Sequence, residues 1–293
     1  MNRKEMQKLR TEQINDDLKV YLPEETGEES ILCEAMNYSV IVGGKRLRPM
    51  LLLESCKMFG GKEEDAKPFA VAMELIHTYS LVHDDLPAMD NDQFRRGNLT
   101  THAKYGHALG VLAGDGLLNY AFEVMSNAVY NGGKKEALAM KIIAEKAGIR
   151  GMIAGQTVDV CMTGKELNTE LLEYINLRKT SALLAASLMA GAAVAGASSE
   201  EIRICEQVGN AVGIAFQIRD DILDVISDTK TLGKPVHSDE KNNKNTYVAL
   251  MGLEKANEAV EEYSREAVRL LETLPYENEF LKELLMSLVG RSN

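Results

Sequence analysis

The chain has 293 residues, a formal net charge of −11 and a sequence pI near 5.1. This acidic balance argues against nucleic-acid binding, which needs a broad cationic footprint. Four scattered cysteines without a CxxC pair argue against a zinc knuckle and a disulfide framework, and they favour a reducing cytoplasm. The polar start, MNRKEMQKLRTEQ, lacks the apolar region of a signal peptide. Because the composition is uniform and no linker interrupts it, we expect residues 1–293 to form a single domain.

Helix signals recur along the whole chain, and no segment shows period-two alternation between hairpin turns. The six prolines lie at the edges of segments with helical spacing. Candidate capping boxes and C-terminal stops are Thr26 with Glu29, Ser198 with Glu201, Gly43-Gly44, and Gly132-Gly133. We predict an all-α fold, a bundle of about ten helices around a central cavity.

The first candidate site is the segment GGKRLRP at residues 43–49. Its cations Lys45, Arg46 and Arg48 precede a helix that Pro49 would open. Cations there oppose the helix dipole, whereas a bound anion would be favoured by the dipole and by the free N–H groups. The GxxxxGK[ST] spacing of a P-loop is absent. The pattern favours a diphosphate pocket, although a plain surface loop explains it equally well when it is taken alone.

An acidic cluster, HDDLPAMDND, occupies residues 83–92 at the end of an apolar helix predicted over about residues 69–85. Helix C-termini disfavour anions, so these carboxylates cost stability unless a cation offsets them. In an unbroken helix Asp84 and Asp90 would lie about 240° apart. Pro87 bars that continuation and lets an excursion return Asp90 to the face of Asp84. Both side chains could then bind one set of metal ions.

The segment from Thr180 to Ser199 carries no charged residue and is long enough to cross a bilayer. Because Ala, Gly and Ser dominate it, we predict a central buried helix and no stable membrane insertion. Ala- and Gly-rich stretches at 185–197 and 209–215 would let helices approach closely. Lys179 precedes the segment, either as a surface residue with a buried stem or as a ligand.

A second acidic cluster, QIRDDILD, occupies residues 217–224 inside an apolar helix. Asp220 and Asp224 are four residues apart and share a face. A solvated acidic face explains either cluster alone, but it explains two such clusters on apolar helices poorly. Carboxylate sites suit Mg²⁺, which prefers a couple of carboxylates with substrate phosphates and water, so the implied substrate is a diphosphate. A di-iron bundle needs two ExxH pairs, and the sequence has only Glu74 with His77.

These motifs resemble those of the trans-isoprenyl diphosphate synthases, and among them the bacterial-type farnesyl diphosphate synthases, or geranyltranstransferases. The resemblance covers most of the chain and rests on GGKRLRP at 43–49, HDDLPAMDND at 83–92, RRG at 95–97, GD at 114–115, GQTVD at 155–159, KT at 179–180, FQIRDDILD at 216–224 and LGK at 232–234. It implies an all-α isoprenoid synthase fold and a homodimer. It also implies magnesium-dependent, head-to-tail condensation of isopentenyl diphosphate with dimethylallyl or geranyl diphosphate to give farnesyl diphosphate.

The resemblance further implies a role for each matching residue. Three Mg²⁺ per active site would be held mainly by Asp84, Asp90 and Asp220, with support from Asp85, Asp221 and Asp224. The allylic diphosphate would also lie on Arg95, Lys179, Lys234 and Lys244. Isopentenyl diphosphate would lie on Lys45, Arg48, His77 and Arg96. Beside Lys179, the catalytic set would include Thr180 and Gln217, whose oxygen dipoles would face the allylic cation. The chain departs from the family at His237 and Asn243, which replace two usual glycines.

Product length is expected to depend on Tyr79 and Ser80, on the helix that carries Asp84. By the resemblance, an aromatic residue five positions before the first aspartate goes with a fifteen-carbon product, and Tyr79 stands there. Ser80 lies one turn below Asp84. Since Tyr79 is about 140° around the helix from Asp84, its ring would have to lean inward to reach the pocket.

Three other functions compete with this interpretation. A geranylgeranyl diphosphate synthase shares the charged residues and differs in the floor of the pocket. A class I terpene cyclase has a different second metal motif, and it leaves Lys45 and Arg48 unexplained because its substrate has no isopentenyl acceptor. A helical divalent-cation-binding or scaffold protein would bind metal without a diphosphate.

Overall fold

The computed structural model describes residues 2–226 and 246–290, most of them helical. The helices before the central part of the chain are α1 (Arg3–Tyr21), α2 (Ser30–Ile41), α3 (Leu47–Met58), α4 (Glu63–Asp84), α5 (Thr101–Tyr105), α6 (His107–Asn131), α7 (Lys134–Ala147) and α8 (Met152–Met162). They are followed by α9 (Thr169–Asn176), a π-helical turn (Leu177–Ser181), α10 (Ala182–Ala195), α11 (Ser199–Ile226), α12 (Tyr247–Met251), α13 (Leu253–Glu272) and α14 (Glu279–Val289).

The all-α prediction is confirmed, with one small exception. Two-residue strands, β1 (Phe94–Arg95) and β2 (Asn98–Leu99), pair antiparallel as a hairpin. The described residues also form more helices than the ten or so predicted. One reason is that Gly106 and Gly252, at φ 91° and 83°, break helical segments into α5 and α6 and into α12 and α13.

Helix α10 is the centre of the bundle, and every residue from Ala182 to Val194 is buried. Helices α3, α4, α7 and α11 pack around it. The approach is close: a Cβ on Gly191 would lie 2.2 Å from the carbonyl oxygen of Leu52, and one on Gly209 would lie 2.3 Å from the Cα of Ala185. The predicted central buried helix is therefore confirmed. Across residues 2–226 and 246–290, no helix has the length and apolarity that crossing a bilayer requires.

Of the two predicted capping boxes, one is confirmed and the other is wrong. The Ser198 N–H donates to Glu201 Oε2 at 2.7 Å, and the Glu201 N–H donates to Ser198 Oγ at 3.3 Å, which opens α11 as predicted. The box at Thr26 is wrong, because α2 begins only at Ser30, after Glu29. Gly27, at φ 78°, forms a turn that separates Thr26 from the helix.

The π-helical turn packs between α8 and α11. A Cβ on Gly155 of α8 would lie 2.3 Å from the backbone nitrogen of Lys179, and one on Gly213 of α11 would lie 2.3 Å from Ser181 Oγ. Helices α8 and α11 therefore both approach the turn at a glycine. This packing fixes the position of Lys179 and Thr180 within the bundle.

Candidate active site

The loop after α4 brings the first aspartates together. Helix α4 ends at Asp84, and Pro87 starts an excursion that closes when the Asp90 N–H donates to the carbonyl oxygen of Asp84 at 2.8 Å. Two side chains hold the far end of this loop: Thr100 Oγ1 and His102 Nε2 lie 2.8 and 2.9 Å from the carbonyl oxygen of Asp92. The chain after Pro87 therefore turns back and brings Asp90 next to Asp84, as the sequence predicts.

The Asp84 carboxylate lies in an environment that disfavours its charge. Burial raises its pKa to about 6, the nearby Lys179 ammonium opposes this shift, and the charge of Asp90 adds to it. One of its oxygens, Oδ1, accepts a hydrogen bond from Gln156 Nε2 at 2.8 Å. Asp84 therefore carries a charge that the protein around it only partly stabilises.

Asp85 differs from its neighbour because it already has a strong partner. The Arg95 guanidinium donates to Asp85 Oδ1 from Nε at 2.9 Å and from Nη2 at 2.6 Å, and the Asp85 side chain is buried. This pair ties strand β1 to the end of α4. Arg95, which the family resemblance assigns to the allylic diphosphate, is thus held beside the aspartates by Asp85.

The π-helical turn presents Lys179 and Thr180 to different neighbours. Lys179 Nζ lies 2.6 Å from Asp159 Oδ2 on α8, and its charge also acts on Asp84. Thr180 Oγ1 donates to Gln217 Oε1 on α11 at 3.1 Å. The turn therefore lies between the two aspartate clusters and connects them. A π turn within a helix often marks a functional site.

The second cluster contains one accessible and two buried aspartates. Asp221 and Asp224 are 5% and 2% exposed, whereas Asp220 is half-buried. Asp221 accepts hydrogen bonds from Gln217 Nε2 at 3.2 Å and from the Tyr247 N–H at 2.9 Å. Although Asp220 and Asp224 are four residues apart, only Asp220 keeps an accessible position. Asp221 anchors α12 to α11.

Basic side chains gather in a second place, the basic pocket, which is formed by Arg48, His77 and Arg96 together with the backbone of Gly44. Arg48 Nη1 lies 3.2 Å from His77 Nε2, and the Arg96 guanidinium lies against Gly44, where a Cβ would be 2.5 Å from Nη1. Burial lowers the pKa of Arg48 to about 10; the Glu74 carboxylate opposes this shift, and the charge of Arg96 adds to it. Burial and the same arginines lower the pKa of His77 well below 6.5.

The basic pocket has the character of an anion site. Arg48 Nε is buried and has no hydrogen-bond partner among the residues that the structure describes. A cavity of about 30 Å³ adjoins His77 and Arg96, and its lining also includes Tyr38, Glu74 and Arg95. Glu74 offsets part of the positive charge here, but the buried Arg48 Nε still lacks an acceptor, which a bound anion would supply.

The three cations of the GGKRLRP segment separate into different environments. Lys45 is exposed, and Arg48 belongs to the basic pocket. Arg46 is buried at φ 48° and forms an ion pair with Glu74 at 2.6 Å. Since Glu74 is held by Arg46 and His77 by Arg48, this ExxH pair is not arranged as half of a di-iron site.

The donor set fits magnesium held jointly with a phosphate ligand. Among residues 2–226 and 246–290, no group of three or more His, Cys, Asp or Glu side chains is placed to hold a metal ion by itself. Asp84, which the charges of Lys179 and Asp90 influence, and Asp220, on the helix whose Gln217 contacts Thr180, would instead supply separate carboxylates together with Asp90. Magnesium prefers such sparse carboxylates, with substrate phosphates and water completing its octahedron.

The two predicted chain-length residues face different ways. Tyr79 is 6% exposed, and its ring packs edge-on against His83 at 5.8 Å between centroids. Burial and the charge of Asp84 raise the pKa of its hydroxyl to about 12. Ser80 is half-buried and donates from Oγ to the carbonyl oxygen of His77 at 2.9 Å. Lys234 and Lys244 lie outside the described residues.

Sequence reasoning assigned no role to four contributors at this site. Gln156 and Asp159 bind Asp84 and Lys179, His102 holds the aspartate loop, and the π-helical turn aims Lys179 and Thr180. The first two lie in the GQTVD motif, three residues apart and hence on one face of α8, which is the signal that could have identified them. No sequence signal marks the π turn.

The helical bundle, its paired aspartate clusters and its basic pocket define an all-helical prenyltransferase. A family model described as polyprenyl synthetase matches residues 29–281. The chain belongs to the polyprenyl synthetase family.

Named relatives and solved structures agree with this assignment. The chain is 41% identical to a farnesyl diphosphate synthase of Micrococcus luteus over 90% of both chains. It is 46% identical to the large subunit 1 of a heterodimeric geranylgeranyl pyrophosphate synthase of Arabidopsis thaliana, over 80% of this chain and 65% of that longer protein. A Helicobacter pylori geranyltransferase, solved in complex with magnesium and isoprenyl diphosphate, superposes with a TM-score of 0.84. It is 34% identical and covers 99% of this chain and 97% of its own.

Proposed function

We propose that the chain is a magnesium-dependent synthase that joins isopentenyl diphosphate to dimethylallyl diphosphate and then to geranyl diphosphate, releasing farnesyl diphosphate. The observation that carries this proposal is one hairpin whose two adjacent arginines lie in two different charged clusters. Arg95 is paired with Asp85 at the aspartate cluster, and the next residue, Arg96, lies in the basic pocket against Gly44. Two adjacent diphosphate sites are what a condensation of two diphosphates requires.

The allylic diphosphate would bind between the aspartate clusters. Asp84, Asp90 and Asp220 would hold Mg²⁺ there, and bound magnesium supplies the positive charge that neutralises the departing diphosphate. Arg95 and Lys179 would add hydrogen bonds to the same group. Lys179 lies 2.6 Å from Asp159 in the structure, so it would move from that carboxylate to the diphosphate oxygens.

Isopentenyl diphosphate would bind in the basic pocket, on Lys45, Arg48, His77 and Arg96. Because His77 has a strongly lowered pKa, it is a neutral imidazole at pH 7 and can donate one hydrogen bond. The orphaned Arg48 Nε would gain a phosphate oxygen as its acceptor. Charge at this site is needed for binding the acceptor rather than for breaking the allylic bond.

The reaction then needs only ionisation, attack and loss of a proton. As the allylic C–O bond breaks, the oxygens of Thr180 and Gln217 would direct their dipoles at the developing cation. The isopentenyl double bond attacks that cation and forms the new C–C bond. A proton leaves the adjacent carbon for the released diphosphate, so no side-chain base is required.

The product is proposed to be farnesyl diphosphate because Tyr79 is buried beside the aspartate end of α4, where it would limit the growing chain. The second candidate is geranylgeranyl diphosphate, because several of the plant relatives are named as geranylgeranyl pyrophosphate synthases. Synthases of the two products would share all the charged residues, and the products differ by one five-carbon unit.

Four finer proposals accompany this function. The active site would hold three Mg²⁺, as the resemblance implies. The chain would act as one domain, supported by a single buried core that runs from Ile14 to Val289. It would form a homodimer, for which α6 offers exposed apolar residues such as Val111 and Leu112. A cytoplasmic location is supported by four free cysteines.

The direct test is incubation of the purified chain with dimethylallyl and isopentenyl diphosphates and MgCl₂, followed by chromatographic sizing of the dephosphorylated products. Farnesol as the main product supports the proposal, and geranylgeraniol supports the second candidate. No product, with magnesium binding unchanged by an unreactive diphosphate, would favour a non-catalytic metal-binding protein. Sedimentation of the same sample tests the homodimer.

A further inference from the structure

The basic pocket is assembled from two separate segments of chain. Gly44 lies on the connection from α2 to α3 and Arg48 in the first turn of α3, whereas Arg96 lies at the tip of the β1–β2 hairpin, about 50 residues later. Arg96 and Gly97, at φ 54° and 80°, form the turn between the strands. The distance between the two segments therefore sets the size of the pocket.

A cluster formed by α2, α5 and the hairpin holds these segments together. Tyr38, on the last turn of α2, donates its hydroxyl to the carbonyl oxygen of Leu99 at 2.7 Å. Leu99 is the strand partner of Phe94, which precedes the two arginines. The Lys104 ammonium lies 3.8 Å from the centre of the Tyr38 ring and 4.7 Å from that of Tyr105. Tyr105 in turn donates to Glu34 Oε1 on α2 at 2.9 Å.

The two arginines of the hairpin depend on this cluster to different degrees. Arg95 is fixed independently by its pair with Asp85 at 2.6 Å. Within the described part of the chain, Arg96 forms no ion pair at salt-bridge distance, and its guanidinium lies against Gly44 and lines the cavity beside His77. A shift of the hairpin would therefore displace Arg96 and leave Arg95 in place.

We propose that Tyr38, with Lys104 packed on its ring, is a positioning residue that holds Arg96 at the distance from Arg48 which an isopentenyl diphosphate group requires. The inference rests on the proposed function. Tyr38 lines the small cavity beside His77 and Arg96, but its hydroxyl is bonded to the carbonyl oxygen of Leu99, so we infer that it acts through the hairpin. Its loss should weaken binding of the acceptor and leave ionisation of the allylic diphosphate unchanged.

The test compares Tyr38→Phe, which removes only the hydroxyl, with Lys104→Gln, which removes only the cation on the ring. The matched control is Tyr130→Phe, because Tyr130 is 90% exposed at the far end of α6. The loss of one hydrogen bond corresponds to about a three- to tenfold change in a binding constant. We expect each test variant to raise KM for isopentenyl diphosphate by about that factor, with kcat and KM for the allylic diphosphate within about twofold of wild type.

Two readouts independent of turnover complete the test. Calorimetry should show isopentenyl diphosphate binding weakened by the same factor, and hydrogen exchange should show faster exchange of residues 94–99 in Tyr38→Phe. Variants that match Tyr130→Phe in both measurements would overturn the inference, as would an equal loss of kcat and of binding for both substrates. If the wild-type chain binds no isopentenyl diphosphate, the proposed function itself fails, which the wild-type titration shows separately.

Discussion

Asp84 shows how a single residue combines an unfavourable environment with a useful one. Burial raises its pKa from 3.8 to about 6, so the folded chain holds the Asp84 proton more tightly than the unfolded chain does. The resulting penalty is absent below pH 3.8, grows as the pH rises towards 6, and is complete above that value. The ionised Asp84 thus lowers the stability of the folded chain, and a bound metal ion with its diphosphate would stabilise that carboxylate.

Replacing Asp84 by Asn should therefore separate stability from activity. In EDTA at pH 7.5 the variant should have a higher free energy of unfolding than wild type, and the difference should shrink as the pH falls from 6 to 4, as followed by urea denaturation. Its kcat should fall at least about a hundredfold, since one preorganised electrostatic contact is lost. Asp16→Asn, on the surface of α1, serves as the control. A variant less stable than wild type at pH 7.5 contradicts the prediction.

Tyr79 is the residue on which product length depends in this proposal. Tyr79→Ala should open space beside α4 and shift the product from fifteen carbons towards twenty or more, as measured by chromatography of the dephosphorylated products. Tyr79→Phe keeps the ring against His83 and should keep the fifteen-carbon product. An unchanged product distribution in the alanine variant would mean that another surface ends the pocket.

Among whole elements, the buried pair of Arg46 and Glu74 joins the start of α3 to the middle of α4. Both side chains are nearly inaccessible, and Arg46 also donates to the carbonyl oxygen of Val40 at 2.6 Å. The pair keeps the α2–α3 connection, and with it Arg48, close to α4. A buried charge left without its partner is strongly unfavourable.

Glu74→Ala should consequently lower the free energy of unfolding by about 3–5 kcal/mol. The double variant Arg46→Met with Glu74→Leu removes both charges and should recover a large part of that loss, as determined by urea denaturation. A double variant no more stable than Glu74→Ala would show that the hydrogen bonds of Arg46, rather than its charge, fix the connection.

The elements also show where local sequence was insufficient. The Ser198 capping box and the Pro87 excursion are set by neighbouring residues, and both predictions are confirmed. The π-helical turn at Leu177–Ser181 has no local signal, because it depends on α8 and α11 approaching at Gly155 and Gly213. The hairpin at Phe94–Leu99 was missed because two-residue strands are too short to show alternation.

For the whole molecule, the two aspartate clusters and the basic pocket predict that magnesium and diphosphate bind together. Magnesium alone should raise the melting temperature little, since no described group of carboxylates holds it unaided. Magnesium with an unreactive allylic diphosphate should stabilise by about 2.7 kcal/mol at a hundredfold excess over Kd. Thermal unfolding with each ligand and with both measures this coupling, and Asp84→Asn should abolish it. Additive shifts would argue for independent sites.

The sequence by itself determined the helical class, the central buried helix and the residues that carry charge, because periodicity, proline and aspartate spacing act over a few neighbouring residues. Only the tertiary structure decided the environment of each charge. It paired Asp85 with Arg95 and Arg46 with Glu74, buried Asp224, and left Asp220 half-buried. The physical reason is that burial and ion pairing are set by residues far apart in the chain, which no local pattern records.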